Sequence, residues 1–228
     1  MYSFFDSPVL QAAGVRSLED ARTLCDTGFR FIGFPLRLAF HPQDISEKEA
    51  KDIIARLPRA VHPVLITYET NPDELTNLIQ YLDVNIIQIH SDIDPATLEK
   101  LKSRLPGLQI IKSLIVKEDN LEELKKQIEE FSLYTDAFIT DTYDFTTGAC
   151  GATGKKHNWK ISRKLVKFSS RPVILAGGLN PQNVVNAIAT VESAGVDVHT
   201  GIEDSLGFKD PELCRKFVKR AMKSFGEM

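Results

Sequence analysis

A chain of 228 residues with a formal net charge of −3, 43% hydrophobic and 26% charged residues has the make-up of a globular protein with one sizeable core. There is no basic excess for nucleic acid and no apolar run of membrane-spanning length, so neither partner is expected. The three cysteines, Cys25, Cys150 and Cys214, are far apart and odd in number, which excludes a closed disulfide set and a paired-thiolate zinc site. The first ten residues, MYSFFDSPVL, lack the basic start and long apolar core of a secretion signal, so the expected compartment is cytoplasmic.

Taken in order, the chain alternates short apolar runs with amphipathic ones, eight times. The first strand is read at about Val9 to Ala13, ending at Gly14, and Ser17 with Asp20 three residues on has the pattern of a capping box. The second spans about Phe29 to Phe34; the loop PLRLAFHPQDI then leads to a second capping box, Ser46 with Glu49. The third, Val61 to Thr67, precedes Asn71-Pro72, and the fourth, Ile86 to Ile89, ends at His90 before Asp94-Pro95. Both pairs set a capping side chain ahead of a proline in the first turn. The fifth, Gln109 to Ile115, precedes a charged helix from Glu118 to Phe131. The sixth is Ala137 to Thr140, and the loop DTYDFTTGACGATGKKHN carries the chain to a helix from Trp159 to about Phe168. The seventh, Val173 to Ala176, ends in Gly177-Gly178, and a helix opens at Asn180-Pro181 and runs to about Val191. The eighth, Val196 to Val198, ends in His199-Thr200-Gly201, and a last helix runs from Asp210-Pro211 to about Ser224 with Lys216, Lys219, Arg220 and Lys223 on its solvated face.

Short apolar strands, each followed by a helix, predict a parallel sheet buried on both faces. Eight such units predict a closed (β/α)8 TIM barrel, a single domain over 1–228, with an open doubly wound sheet as the alternative. In such barrels the site lies on the loops at the C-terminal strand ends. Glycine turns after the seventh and eighth strands bring backbone close to a ligand, and N–H groups at helix starts favour an anion. Gly177, Gly178, Thr200 and Gly201 are therefore the expected phosphate-binding residues; tight connections alone are the plainer explanation. Asp141, directly after the sixth strand, is the candidate general acid or base. His90, at the end of the fourth, is a candidate substrate contact or a packing residue. The long loop with Gly148, Gly151 and Gly154 has the length and glycine content of a lid. Its Gly151 to Lys155 stretch lacks the full GxxxxGK[ST] spacing, so no nucleotide site is expected. The histidines show no metal-ligand spacing, and no metal is expected.

Several segments together resemble the phosphoribosylanthranilate isomerase family: AGVRSLEDA, FRFIGF, PVLITYETNPDEL, IIQIHS, ITDTYD with GATGKKHNW, VILAGGLNPQNV and GVDVHTGIEDSLGFKD. The likeness spans nearly the whole chain. It implies a (β/α)8 barrel that carries out an acid–base Amadori rearrangement of a phosphoribosylamine to a 1-deoxyketose, in tryptophan biosynthesis, without cofactor. It implies a phosphorylated sugar as substrate, a monomer or homodimer, Asp141 as general acid and the two glycine turns as phosphate grip. The chain departs from the family where the first strand usually ends Lys-Ile-Cys-Gly, with the cysteine as general base. Gln11-Ala12-Ala13-Gly14 stand there instead, and alanine cannot move a proton. The family's Ser-Pro-Arg loop, whose arginine meets the anthranilate carboxylate, is altered around Pro42-Gln43, which leaves Arg37 as the candidate substrate contact. A serine pair has become His199-Thr200. His199 is then the expected replacement base, ahead of Lys112 and Tyr143, because a neutral imidazole suits proton abstraction near neutral pH. An isomerase or lyase on another phosphorylated sugar, and a non-catalytic barrel that binds a phosphometabolite, are the alternatives.

Overall fold

The computed structural model describes residue 5 and residues 7–38, 43–142 and 157–226. Its strands are β1 (Val9–Ala13), β2 (Phe31–Leu36), β3 (His62–Thr67), β4 (Ile86–Ile89), β5 (Gln109–Val116), β6 (Ala137–Thr142), β7 (Val173–Leu175) and β8 (Gly195–Val198). All pair in parallel and in chain order, and β8 returns to β1 to close the barrel. Between them lie α1 (Leu18–Thr27), α2 (Glu47–Ile54), α3 (Pro72–Leu82), α4 (Pro95–Arg104), α5 (Leu121–Phe131), α6 (Trp159–Phe168) and α7 (Val184–Val191). A 3-10 turn (Thr200–Ile202) and α8 (Pro211–Gly226) complete the chain. Among the described residues no helix is long and apolar enough to cross a membrane.

Strand side chains alternate between two apolar layers. One set, including Val9, Ala13, Val64, Ile86, Ile111, Ile139 and Ile174, fills the barrel. The other, including Leu10, Ala12, Ile87, Ile110, Phe138 and Val196, packs beneath the helices. This parity decides which polar strand residues face the reaction space. The helices start where the sequence places caps. Asn71 accepts from the amides of Asp73 and Glu74, Asp94 from Ala96, and Asn158 from Lys160. Ser46 and Glu49 form the full reciprocal box. Ser17 caps Asp20 as expected, but the Asp20 carboxylate instead accepts from the amides of Arg16 and Lys209, tying α1 to the segment before α8.

Of the boundaries that differ from the sequence reading, three have a plain local reason. β6 continues to Thr142, so Asp141 lies within the strand and not beyond it. α5 begins at Leu121 because Asn120 accepts from the Lys117 amide and donates to the Ile115 carbonyl, which holds the preceding residues as a loop. α7 begins at Val184 because the Asn180 side chain takes the amides of Gln182 and Asn183 in a turn of its own.

The seam between β1 and β8 depends on a missing side chain. A β-carbon on Gly195 would stand 2.6 Å from the Val9 carbonyl oxygen and 2.9 Å from its Cα. Backbone cannot give way as a flexible side chain does. Gly195→Ala is expected to destabilise the protein by about 1–3 kcal/mol through overpacking, read as a lower urea midpoint at unchanged slope. An unchanged midpoint would show that the seam has slack.

Candidate active site

Asp141 comes from the C-terminal end of β6, and its parity with Ala137 and Ile139 turns it into the barrel. The carboxyl is buried, and loss of water pushes its pKa up to about 7, against a hydrogen bond from the Thr142 amide at 2.7 Å that favours the charged form. A carboxyl brought to neutrality in this way can exist as acid or base at working pH. His90 stands opposite, its Nδ1 4.0 Å from Asp141 Oδ2 and its ring stacked on Tyr68 at 5.4 Å. Burial, with a smaller contribution from Lys112, pushes the His90 pKa down to about 3, so the imidazole is neutral.

Which nitrogen of His90 carries the hydrogen follows from its neighbours. Gln11 Nε2 donates to Gln88 Oε1 at 2.7 Å. With its oxygen so used, Gln88 presents Nε2 to His90 Nε2 at 2.8 Å. His90 Nε2 therefore accepts, and Nδ1–H faces Asp141. On its other side Gln11 reaches Asp197 of β8, its register partner. Asp197 is also buried and faces inward; desolvation, then the charge of Asp141, push its pKa up to about 7, while Gln11 and Lys209 act in the opposite sense. A polar chain, Asp197–Gln11–Gln88–His90–Asp141, thus crosses an otherwise apolar barrel.

The two glycine turns lie side by side beyond β7 and β8. Gly177 has φ 93° and leaves no room for a β-carbon, which would overlap Thr142 Oγ1 and approach His157 Nδ1. Gly201 lies so close to the Leu179 carbonyl that a β-carbon would overlap its oxygen. Asn183 Nδ2 holds the Gly178 carbonyl at 2.9 Å. The backbone N–H groups of Gly177, Gly178, Thr200 and Gly201 donate no hydrogen bond to any described residue. His157 bonds Thr142 Oγ1 at 3.1 Å and Ser162 Oγ at 2.6 Å, and so ties β6 and the first turn of α6 to the Gly177 turn.

Other expected residues are placed differently. Arg37, with φ 53°, directs its guanidinium to Glu47 at 2.8 Å, Glu74 at 2.9 Å and Glu69 at 3.5 Å. It clamps α2 to α3 and the β3–α3 loop. His199 rests against Gly14, its Nε2 3.4 Å from Glu203 Oε1, and Glu203 in turn receives the buried Lys209 ammonium at 2.7 Å. Lys112 is corrected as a candidate base: its neighbours Ile111 and Ser113 take the inward positions, and its ammonium lies over Phe131 of α5 in the outer layer, where burial pushes its pKa down to about 8. His41, Pro42, Tyr143, Asp144, Cys150 and the glycines of the long loop fall outside the described residues. Asp197 was missed because Val196 to Val198 reads as an apolar run. A lone carboxylate between two valines of a parallel strand is itself the signal, since charges are rarely buried without a use.

The fold and these side chains define a class: a (β/α)8 barrel equipped for acid–base chemistry at its C-terminal mouth. A model of the N-(5'-phosphoribosyl)anthranilate (PRA) isomerase family matches residues 10–220. The chain is 37% identical over 217 residues to the N-(5'-phosphoribosyl)anthranilate isomerase 2 of Methanosarcina mazei, covering 95% of each chain. It is 35% identical over 215 residues to the isomerase of Desulforudis audaxviator, covering 93% of this chain and 97% of that one. Among solved structures, the isomerase of Thermotoga maritima superposes with a TM-score of 0.80 at 26% identity, covering 95% of this chain and 99% of that one. An isomerase solved with reduced 1-(o-carboxyphenylamino)-1-deoxyribulose 5-phosphate superposes with a TM-score of 0.77 at 26% identity, with the same coverage. The chain belongs to the phosphoribosylanthranilate isomerase family.

The raised pKa of Asp141 has a consequence for stability. Between the ordinary carboxylate pKa and about 7 the folded state binds more protons at Asp141 than the unfolded state does. This group therefore lowers stability as pH rises through that window, with the full penalty present above it. Asp141→Asn removes the ionisable group but keeps an oxygen for the Thr142 amide. Its melting temperature is expected to match wild type near about pH 4 and to exceed it at about pH 8. A variant less stable than wild type at the higher pH would contradict the assigned desolvation.

Proposed function

We propose that this protein isomerises N-(5'-phosphoribosyl)anthranilate by an Amadori rearrangement, as a step of tryptophan biosynthesis. One observation carries the reading beyond family membership. A carboxyl tuned to neutrality, Asp141, stands at the mouth of the same barrel end as two adjoining glycine turns whose amides donate to no described residue. The turns at Gly177-Gly178 and Thr200-Gly201 bind the 5'-phosphate through backbone N–H groups. Asp141 protonates the furanose ring oxygen, and the ring opens to the iminium. His90 directs its Nδ1–H toward the Asp141 carboxylate once the proton has left, which steadies the charge in a water-poor site. A Thermotoga maritima relative is described as dimeric, and a monomer or homodimer remains the proposed state here.

A second reading, an isomerase for another phosphorylated sugar, draws on two features: Ala13 offers no proton acceptor, and the Arg37 guanidinium is taken up by three glutamates. Purified protein given phosphoribosylanthranilate separates the two. We expect turnover, and expect Asp141→Asn to lower kcat by about 10²–10⁴ and to fail to rescue a tryptophan auxotroph lacking the isomerase. Folded wild type without turnover would remove the first reading in favour of the second. A fully active Asp141→Asn would remove Asp141 as the acid.

A further inference from the structure

The proposed reaction needs a base for the sugar C2 proton, and Ala13 supplies none. The inference that follows rests on the isomerase reading above. Besides His62 at the N-terminal end of β3, the carboxyl and imidazole side chains that the described strands and their ends turn into the barrel are Asp141, His90, Asp197 and His199. His90 Nε2 is occupied by Gln88, and its Nδ1 carries a hydrogen, so it has no lone pair to offer. His199 is engaged with Glu203.

Asp197 differs from both. It pairs in register with Gln11, one inward step below Ala13 on the neighbouring strand. It keeps 8% of its surface accessible, whereas Val196 and Val198 beside it keep 0% and 1%. Since the two valines face the helices, that residual access lies on the barrel side. Its Oδ1 has no hydrogen-bond partner among the described residues, an unusual state for a buried carboxylate oxygen outside a reaction space. The groups acting on it are Asp141, Gln11 and Lys209. Lys209 is a buried cation that favours charge on Asp197, and no described cation acts in this way on Asp141. Two carboxyls that interact lose their protons as a pair. Near neutral pH the pair can share one proton, and a charge on Asp197 is the one that Lys209 favours.

We propose that Asp197 is the general base of this isomerase, in the place left by the absent side chain at position 13. In the ring-opened iminium the Asp197 carboxylate takes the C2 proton. The C2–H pair becomes the C1=C2 bond, and the C1=N π pair returns to nitrogen, giving a neutral enolamine. Asp197 then returns its proton to C1 as the enol O–H proton passes to the Asp141 carboxylate. The product is the 1-deoxyketose, and both carboxyls regain their starting states.

The test is Asp197→Asn beside wild type on phosphoribosylanthranilate, with binding of the reduced deoxyribulose-phosphate product analogue measured in parallel. The expected result is a loss of about 10²–10⁴ in kcat with analogue affinity held within about threefold. Adding Ala13→Cys to Asp197→Asn places a second proton acceptor one inward step away and is expected to recover at least about tenfold. Active wild type with Asp197→Asn inside about threefold of it overturns the base assignment and leaves the isomerase reading intact. Inactive folded wild type overturns the isomerase reading and the assignment with it. If Asp197→Asn also loses the analogue, the double variant decides: recovery supports the assignment, and no recovery overturns it. His199→Ala serves as the comparison, and a loss there with Asp197→Asn still active moves the role to His199.

Discussion

Desolvation of two carboxyls inside an apolar barrel is the constraint on which the rest of this molecule turns. Asp141 and Asp197 lie among Ala137, Ile139, Ile174 and their like, where a full negative charge is expensive. Among the described residues no lysine or arginine forms an ion pair with either of them, although Lys209 favours charge on Asp197. The protein surrounds them with amides and one neutral imidazole, so that each group's orientation is fixed by the next. Gln11 commits Gln88, Gln88 commits His90, and His90 is left with a hydrogen toward Asp141. A chain of this kind passes an orientation from one member to the next. That makes Gln11 and Gln88 as much a part of the chemistry as the carboxyls they connect.

The barrel supplies this arrangement through parity and closure. Parallel pairing in chain order turns alternate residues inward, so the same rule that packs Val9 and Ala13 in the interior brings Gln11 there too. Closure at Gly195 sets β8 beside β1, and with it Asp197 beside Gln11. The next residues along β7 and β8 form the adjoining glycine turns. Buried acid–base groups and backbone donors for an anion therefore share one end of the barrel because consecutive strands end together there.

Much of this was legible in the sequence, and the limits have physical causes. Strand order, helix caps and both glycine turns follow from local chemistry: apolar runs, Asn-Pro and Asp-Pro pairs, and glycines at strand ends. Asp141 was visible as a carboxyl ending an apolar run, although its strand runs on to Thr142 and carries it deeper than a loop residue. Side-chain direction was harder to read. Lys112 and Asp197 both sit in apolar strands, yet one step of parity sends the lysine to the helix layer and the aspartate inward. Partners distant in sequence were hidden altogether. Nothing near Arg37 announces Glu69 and Glu74, and nothing near His199 announces that Lys209 also binds Glu203.

The chemistry of this site depends on the protonation of the two inward carboxyls. Carboxyl carbon-13 resonances of Asp141 and Asp197, followed by NMR across the acid-to-neutral range in wild type and in Asp141→Asn, test it most directly. Both are predicted to titrate near 7 in wild type, and Asp197 to move downward once the neighbouring charge is removed. Midpoints in the ordinary carboxylate range, near about 4, with no response of Asp197 to the substitution, would contradict it.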